Sequence, residues 1–166
     1  MANETGAFGL SPVRHIDGSP WNGVTVPCYV SASYATALFV GDPVLFSPTL
    51  AEKDTSGTKP TVNASAGTAG TLIRGVIVSL EPTDRDSTVY NPASTERIAN
   101  VCMDPSVIYQ VRGDGGGTPS KVFIGQNAVL IATAAGSTVT GLSGFHLDEG
   151  TTTAPTTTQT FTHFRS

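Results

Sequence analysis

From Val24 to Ala32 apolar and polar side chains alternate, with Val24, Val26, Cys28 and Val30 set against Thr25, Pro27, Tyr29 and Ser31. A period of two is the mark of a β-strand with one buried face. The rest of the chain favours the same element. It holds 24 Thr and 15 Ser, nearly a quarter of its 166 residues, and 18 Gly and 11 Pro divide the apolar runs into short pieces. Such a composition suits strands and turns. Charged residues make up 13%, about half the ~25% of an ordinary soluble domain, and coiled coils and helical bundles need far more Glu, Lys and Arg. The chain therefore reads as all-β.

Turn signals between about eight short runs predict a single-domain β-sandwich or small barrel, with a jelly roll among the sandwich forms. Pro27 cannot donate to a ladder, which places the first strand at an edge or a bulge. The run from Ala37 to Phe46 is broken by Gly41-Asp42-Pro43, a tight turn or corner. Thr71 to Leu80 carries Gly75, where a bend or a close backbone approach is expected. Arg97 to Met103 and Val107 to Arg112 are strands divided by Asp104-Pro105, and Lys121 to Ala134, Phe145 to Leu147 and Phe161 to Phe164 complete the set. Residues 51–70 carry almost no large apolar side chain and read as a long exposed loop.

Residues 1–23 read as an extended N-terminal arm ahead of a domain at 24–166. Phe8, Leu10, Val13, Ile16 and Trp21 are too irregularly spaced for a helix, and glycines and prolines break any long element. Apolar residues in an arm need a host, either a neighbouring subunit or the chain's own barrel. Trp21 suits a buried anchor, in the core or across an interface.

A net charge of −4 with scattered Lys and Arg gives no phosphate-tracking surface, so no nucleic-acid partner is expected. No apolar run approaches the ~20 residues of a membrane helix, and no signal peptide is visible. Cys28 and Cys102 fit two buried thiols in a reducing compartment better than a disulfide. The acceptor patterns at Asn3 and Asn63 matter only in a secreted eukaryotic chain and are set aside.

The chemistry-bearing residues assemble no catalytic pattern. Gly113 to Gly117 lack the Lys and Ser or Thr of a P-loop and fit a hairpin tip. His15, His146 and His163 never fall at metal-ligand spacing. Asp84 and Asp86 sit in a polar loop without the further oxygen ligands of a calcium site. Ser143 lacks the nucleophile-elbow pattern. Arg112-Gly113-Asp114 reads as a turn. No enzyme activity, cofactor or metal is expected.

Several segments resemble one family. The arm GAFGLSPVRHIDGSPWNG (6–23), FVGDPVLF (39–46), IRGVIVSLEP (73–82), DRDSTVYNPASTERIANVCMDPSVIYQV (84–111) and AGSTVTGLSGFHLD (135–148) look like tailed-bacteriophage capsid decoration proteins, also called cement or head-stabilising proteins. The resemblance spans most of the chain and is one of layout, without a catalytic motif. It implies a structural virion protein, made in the host cytoplasm, that binds the outer surface of the mature capsid. There it would bridge subunits of the major capsid protein as a homo-oligomer, a trimer being favoured over a dimer. Phe8, Leu10, Arg14 and Trp21 are then the expected contacts with the capsid or a neighbouring subunit. The competing expectation is a jelly-roll module that attaches to host surface polysaccharide, and the third is a small β-barrel enzyme.

Overall fold

The computed structural model describes residues 6, 8–49, 53–65, 73–114, 129–132 and 135–148. Within them are nine strands and no helix: β1 Ser11–His15, β2 Val26–Val30, β3 Pro43–Phe46, β4 Val62–Ala64, β5 Gly75–Leu80, β6 Arg97–Cys102, β7 Val107–Gln110, β8 Leu130–Ala132 and β9 Phe145–Leu147. All pair antiparallel. The fold is all-β, as the alternation and composition indicate.

Five strands form the main sheet in the order β2-β6-β5-β3-β4. Its two outer strands then meet. Tyr29 bridges Thr61 in parallel, and the Tyr29 N–H donates to the Pro60 carbonyl at 2.9 Å, which curls the sheet into a small barrel. The meeting of the sheet's two outer edges at this bridge, rather than the strand order, is what gives it a barrel-like form. Pro27 lies two residues before Tyr29, so its nitrogen faces the same outer edge, away from β6, and the missing N–H breaks no ladder bond.

The barrel interior holds Cys28, Val30, Leu38, Val44, Val62, Ile77, Ala99 and Val101, all fully buried. A second core lies on the other side of β5, built from Leu10, Val76, Leu130, Phe145 and Leu147. Val76 and Ile77 are consecutive and therefore point to opposite faces, which makes β5 a wall shared by both cores. The predicted close approach at Gly75 is present. A Cβ there would stand 2.5 Å from the Cys102 carbonyl oxygen of the neighbouring strand.

Three expectations change. The stretch read as a loop at 51–70 contains β4. Its one large apolar residue, Val62, is fully buried, and pairing with β3 and a bond from the Ala64 N–H to the Tyr34 hydroxyl hold it. The arm is not devoid of regular structure, because β1 pairs with β7 from Ser11↔Gln110 to His15↔Val107. Leu10, expected at a partner contact, is 3% exposed and packs in the second core of its own chain. It arrives there because Gly9 and Gly41 pass back to back at positive φ. A Cβ on Gly41 would meet the Phe8 carbonyl at 2.5 Å, and the Leu10 N–H donates to the Gly41 carbonyl at 3.0 Å. The predicted strand at 161–164, and residues 121–128 and 133–134 of the one expected at 121–134, lie outside the described residues.

Candidate interaction surface

Residues 11–21 turn back on themselves beside β7. Arg14 bridges Pro20, the His15 N–H donates to the Ser19 carbonyl at 2.8 Å, and the Trp21 N–H reaches the Val13 carbonyl at 3.4 Å. Asp17 closes the turn, its Oδ1 accepting the Ser19 N–H at 2.8 Å and the Ser19 hydroxyl at 2.7 Å. Those two bonds hold its carboxyl below the usual carboxylate range. Gly18 supplies the positive φ that the turn needs.

The base of this hairpin is fixed to the body. The Ile16 N–H donates to the Ser106 carbonyl at 2.8 Å, and His15 Nδ1 lies 3.1 Å from the Ser106 hydroxyl and 3.5 Å from Asp104 Oδ2. The Ser106 hydroxyl and N–H both donate to Asp104 Oδ1, and with His15 behind them they keep that carboxyl ionised below its usual pKa. A side chain placed on this hairpin is therefore presented in a set direction.

What it presents is apolar. The exposed large hydrophobic residues among those described are Val13, Ile16, Val24, Val26, Phe46, Val89 and Val139. Four of these seven fall between residues 13 and 26, with exposures of 49% for Val13, 58% for Ile16, 61% for Val24 and 38% for Val26. No charged side chain occurs from Gly18 to Pro27. Single exposed valines are commonplace on protein surfaces, whereas two exposed apolar residues on an ordered hairpin and two more where the chain enters β2 make a candidate contact surface.

The four expected contact residues separate here. Leu10 is core. Phe8 and Arg14 are half-buried, the first passing Gly41 with its backbone and the second bridging Pro20. Trp21 is also half-buried, and its indole N–H is enclosed with no acceptor among the described residues. Val24 and Val26, read from the alternation as inward-facing, are exposed. The ladder with β6 begins only at Val26↔Val101, so Val24 precedes the sheet and Val26 lies at its end. The sequence signal for the surface is the coincidence of apolar residues with the Asp17-Gly18 and Asn22-Gly23 turns, which prevents those residues from joining a continuous strand.

The remaining candidates resolve into structure. Asp84 Oδ1 accepts the Asp86 N–H and the Ser87 hydroxyl within a turn. Arg112-Gly113-Asp114 runs extended alongside β9 rather than turning, the Leu147 N–H donating to the Arg112 carbonyl and the Asp114 N–H to the Leu147 carbonyl. Ser143 is buried and gives its hydroxyl to Asp42 while accepting the Phe145 N–H at 3.1 Å. Asp42 also accepts the Phe39 N–H at 2.8 Å, yet its burial pushes its pKa up to about 6. Cys28 and Cys102 are both free and buried. Cys28 pairs with Ala99 on the barrel side, whereas Cys102 follows the inward-facing Val101 and points the other way, so the two thiols lie on opposite faces of the sheet. Among the described residues no group of three or more His, Cys, Asp or Glu is placed to hold a metal ion.

The fold is all-β, with an exposed apolar hairpin bonded to its body. Comparison with protein-family models, with curated proteins and with solved structures finds no match to this chain.

Proposed function

We propose that this chain is a capsid decoration protein of a tailed bacteriophage, a structural virion component that binds the outer surface of the mature shell. It bridges neighbouring subunits of the major capsid protein, and the hairpin with its continuation into β2 makes the contact. The observation that carries this reading is the exposure of Val13 and Ile16 on a hairpin whose backbone is anchored to Ser106 and β7, followed by exposed Val24 and Val26 at the entry to β2. A preorganised apolar surface loses little conformational entropy on docking, and burying it releases water from each side chain. The resemblance of segments 6–23, 39–46, 73–82, 84–111 and 135–148 to decoration proteins supports the same reading.

Stabilisation of the shell then follows from mass action. A protein with higher affinity for the expanded lattice than for its precursor shifts the shell toward the expanded form, and many copies at symmetry-related seams add their effects. Self-association into a trimer belongs to this proposal.

Co-sedimentation tests it. The purified protein is mixed with expanded phage shells that lack it, and with unexpanded precursors. Saturable binding to expanded shells alone is expected, at a copy number that reports the symmetry axis. Absence of binding to either shell, with retention on a panel of bacterial surface polysaccharides, would replace the capsid reading by the glycan-binding one.

A further inference from the structure

Asn22-Gly23 is the single Asn-Gly pair in the chain, and it lies inside the docking segment between Trp21 and Val24. Asn22 is exposed to water. Gly23 has a φ of +80°, and apart from its chain neighbours nothing lies within 4 Å of where a Cβ on it would stand, so no other part of the fold crowds this position. The Val24 N–H donates to Asn22 Oδ1 at 3.2 Å, which folds the carboxamide back across the Gly23 peptide and polarises its carbonyl. The Gly23 N–H itself takes part in no hydrogen bond among the described residues.

We propose that Asn22 is a site of spontaneous deamidation, placed so that its conversion puts a carboxylate into the apolar docking surface. The Gly23 nitrogen attacks Asn22 Cγ, forming the N–Cγ bond of a five-membered succinimide. The Cγ–Nδ2 bond breaks, and ammonia leaves, the Gly23 amide proton passing to it through solvent. Water then adds to either ring carbonyl and gives aspartate or isoaspartate. Water is the sole co-reactant, and the net change is a neutral amide exchanged for a carboxylate and an ammonium ion.

The neighbouring turn shows why the reaction is selective. Asp17-Gly18 is also exposed, with Gly18 at φ +91° and open space where a Cβ would stand. Its carboxyl, however, is kept ionised by the Ser19 N–H and hydroxyl. A carboxylate is a poor electrophile, and no good leaving group departs from it. Of the other described asparagines, Asn63 and Asn91 are buried, and Asn100 is followed by Val101 within β6, where the branched side chain and the ladder hinder cyclisation.

The effect on docking rests on the function proposed above. Segment 18–27 is uncharged, and burying a new carboxylate against a partner without a counter-charge is unfavourable. The isoaspartate form also adds a backbone methylene between Trp21 and Val24, which alters the register of the exposed valines.

The test incubates the full-length protein in mildly alkaline buffer and follows it by peptide mass mapping and isoaspartyl methyl acceptance. Loss of the amide at Asn22, with none at Asn63, Asn91 or Asn100 and none at position 22 in Asn22→Ser, is the expected result. Retention of the Asn22 amide for as long as a free peptide of residues 18–27 takes to convert would overturn the proposal. Shell binding is read on the same samples. Wild type that binds shells, with Asn22→Asp binding no more weakly, would overturn the placement of the carboxylate in the docking surface. Wild type that binds no shell counts against the capsid reading alone, since the mass result still decides the deamidation.

Discussion

The barrel interior and the N-terminal hairpin use the same kinds of residue to opposite ends. Val30, Val44, Val62 and Val101 are sealed inside the sheet, whereas Val13, Val24 and Val26 stand in water. Residue type does not separate them. Position in the ladder does: the buried valines alternate within paired strands, and the exposed ones lie at a bulge between Pro12 and Arg14, ahead of β2, or at its first residue. Hydrophobicity buried by folding and hydrophobicity left in water are distinguished here by backbone pairing.

Substitutions should break that comparison in order of size. Leu38→Ala, in the barrel interior, is expected to destabilise by about 3–5 kcal/mol, the lost transfer energy plus a cavity. Chemical denaturation would measure it. Leu10→Ala should cost about 2–4 kcal/mol if the residue is core, as its place beside Phe145 indicates. A loss below ~0.5 kcal/mol, the range of surface substitutions, would return Leu10 to the docking surface.

Asp42 offers an intermediate effect with a definite sign. Its pKa is raised from 3.8 to about 6 in the folded state by burial. The folded chain therefore binds the proton more tightly than the unfolded one, and stability rises as pH falls through that window. The gain is on the order of 2–3 kcal/mol, and thermal unfolding across the window should show it in wild type and lose it in Asp42→Asn. Asp54 runs the other way. Its pKa is lowered to about 2 by bonds from Ser56, so its contribution disappears only below 3.8 and the two windows do not overlap. Smallest in stability is Ile16→Ser, expected within about 0.5 kcal/mol of wild type yet with a marked loss of shell binding. A large loss of stability instead would show that the hairpin tip is part of the fold.

Much of the barrel was legible because period-two alternation and turn residues are local signals. The edge position of Pro27 and the close approach at Gly75 came from the same source. β4 was hidden, since a strand with one large apolar residue owes its existence to its partners β3 and Tyr34. The surface was half legible. Phe8, Leu10, Val13 and Ile16 look alike in sequence, and what sends Leu10 inward is the crossing of Gly9 with Gly41, a contact between residues far apart in the chain. The exposure of Val24 and Val26 likewise depends on where β6 ends, which no local pattern records.

The shared wall at β5 has a mechanical consequence. Val76 braces the side where Leu10 and Phe145 sit, and Ile77 braces the barrel, one peptide unit apart. A pull transmitted through the hairpin to Leu10 reaches β5 and from there the barrel's five strands. Any load applied at the hairpin is thus passed through β5 to both cores.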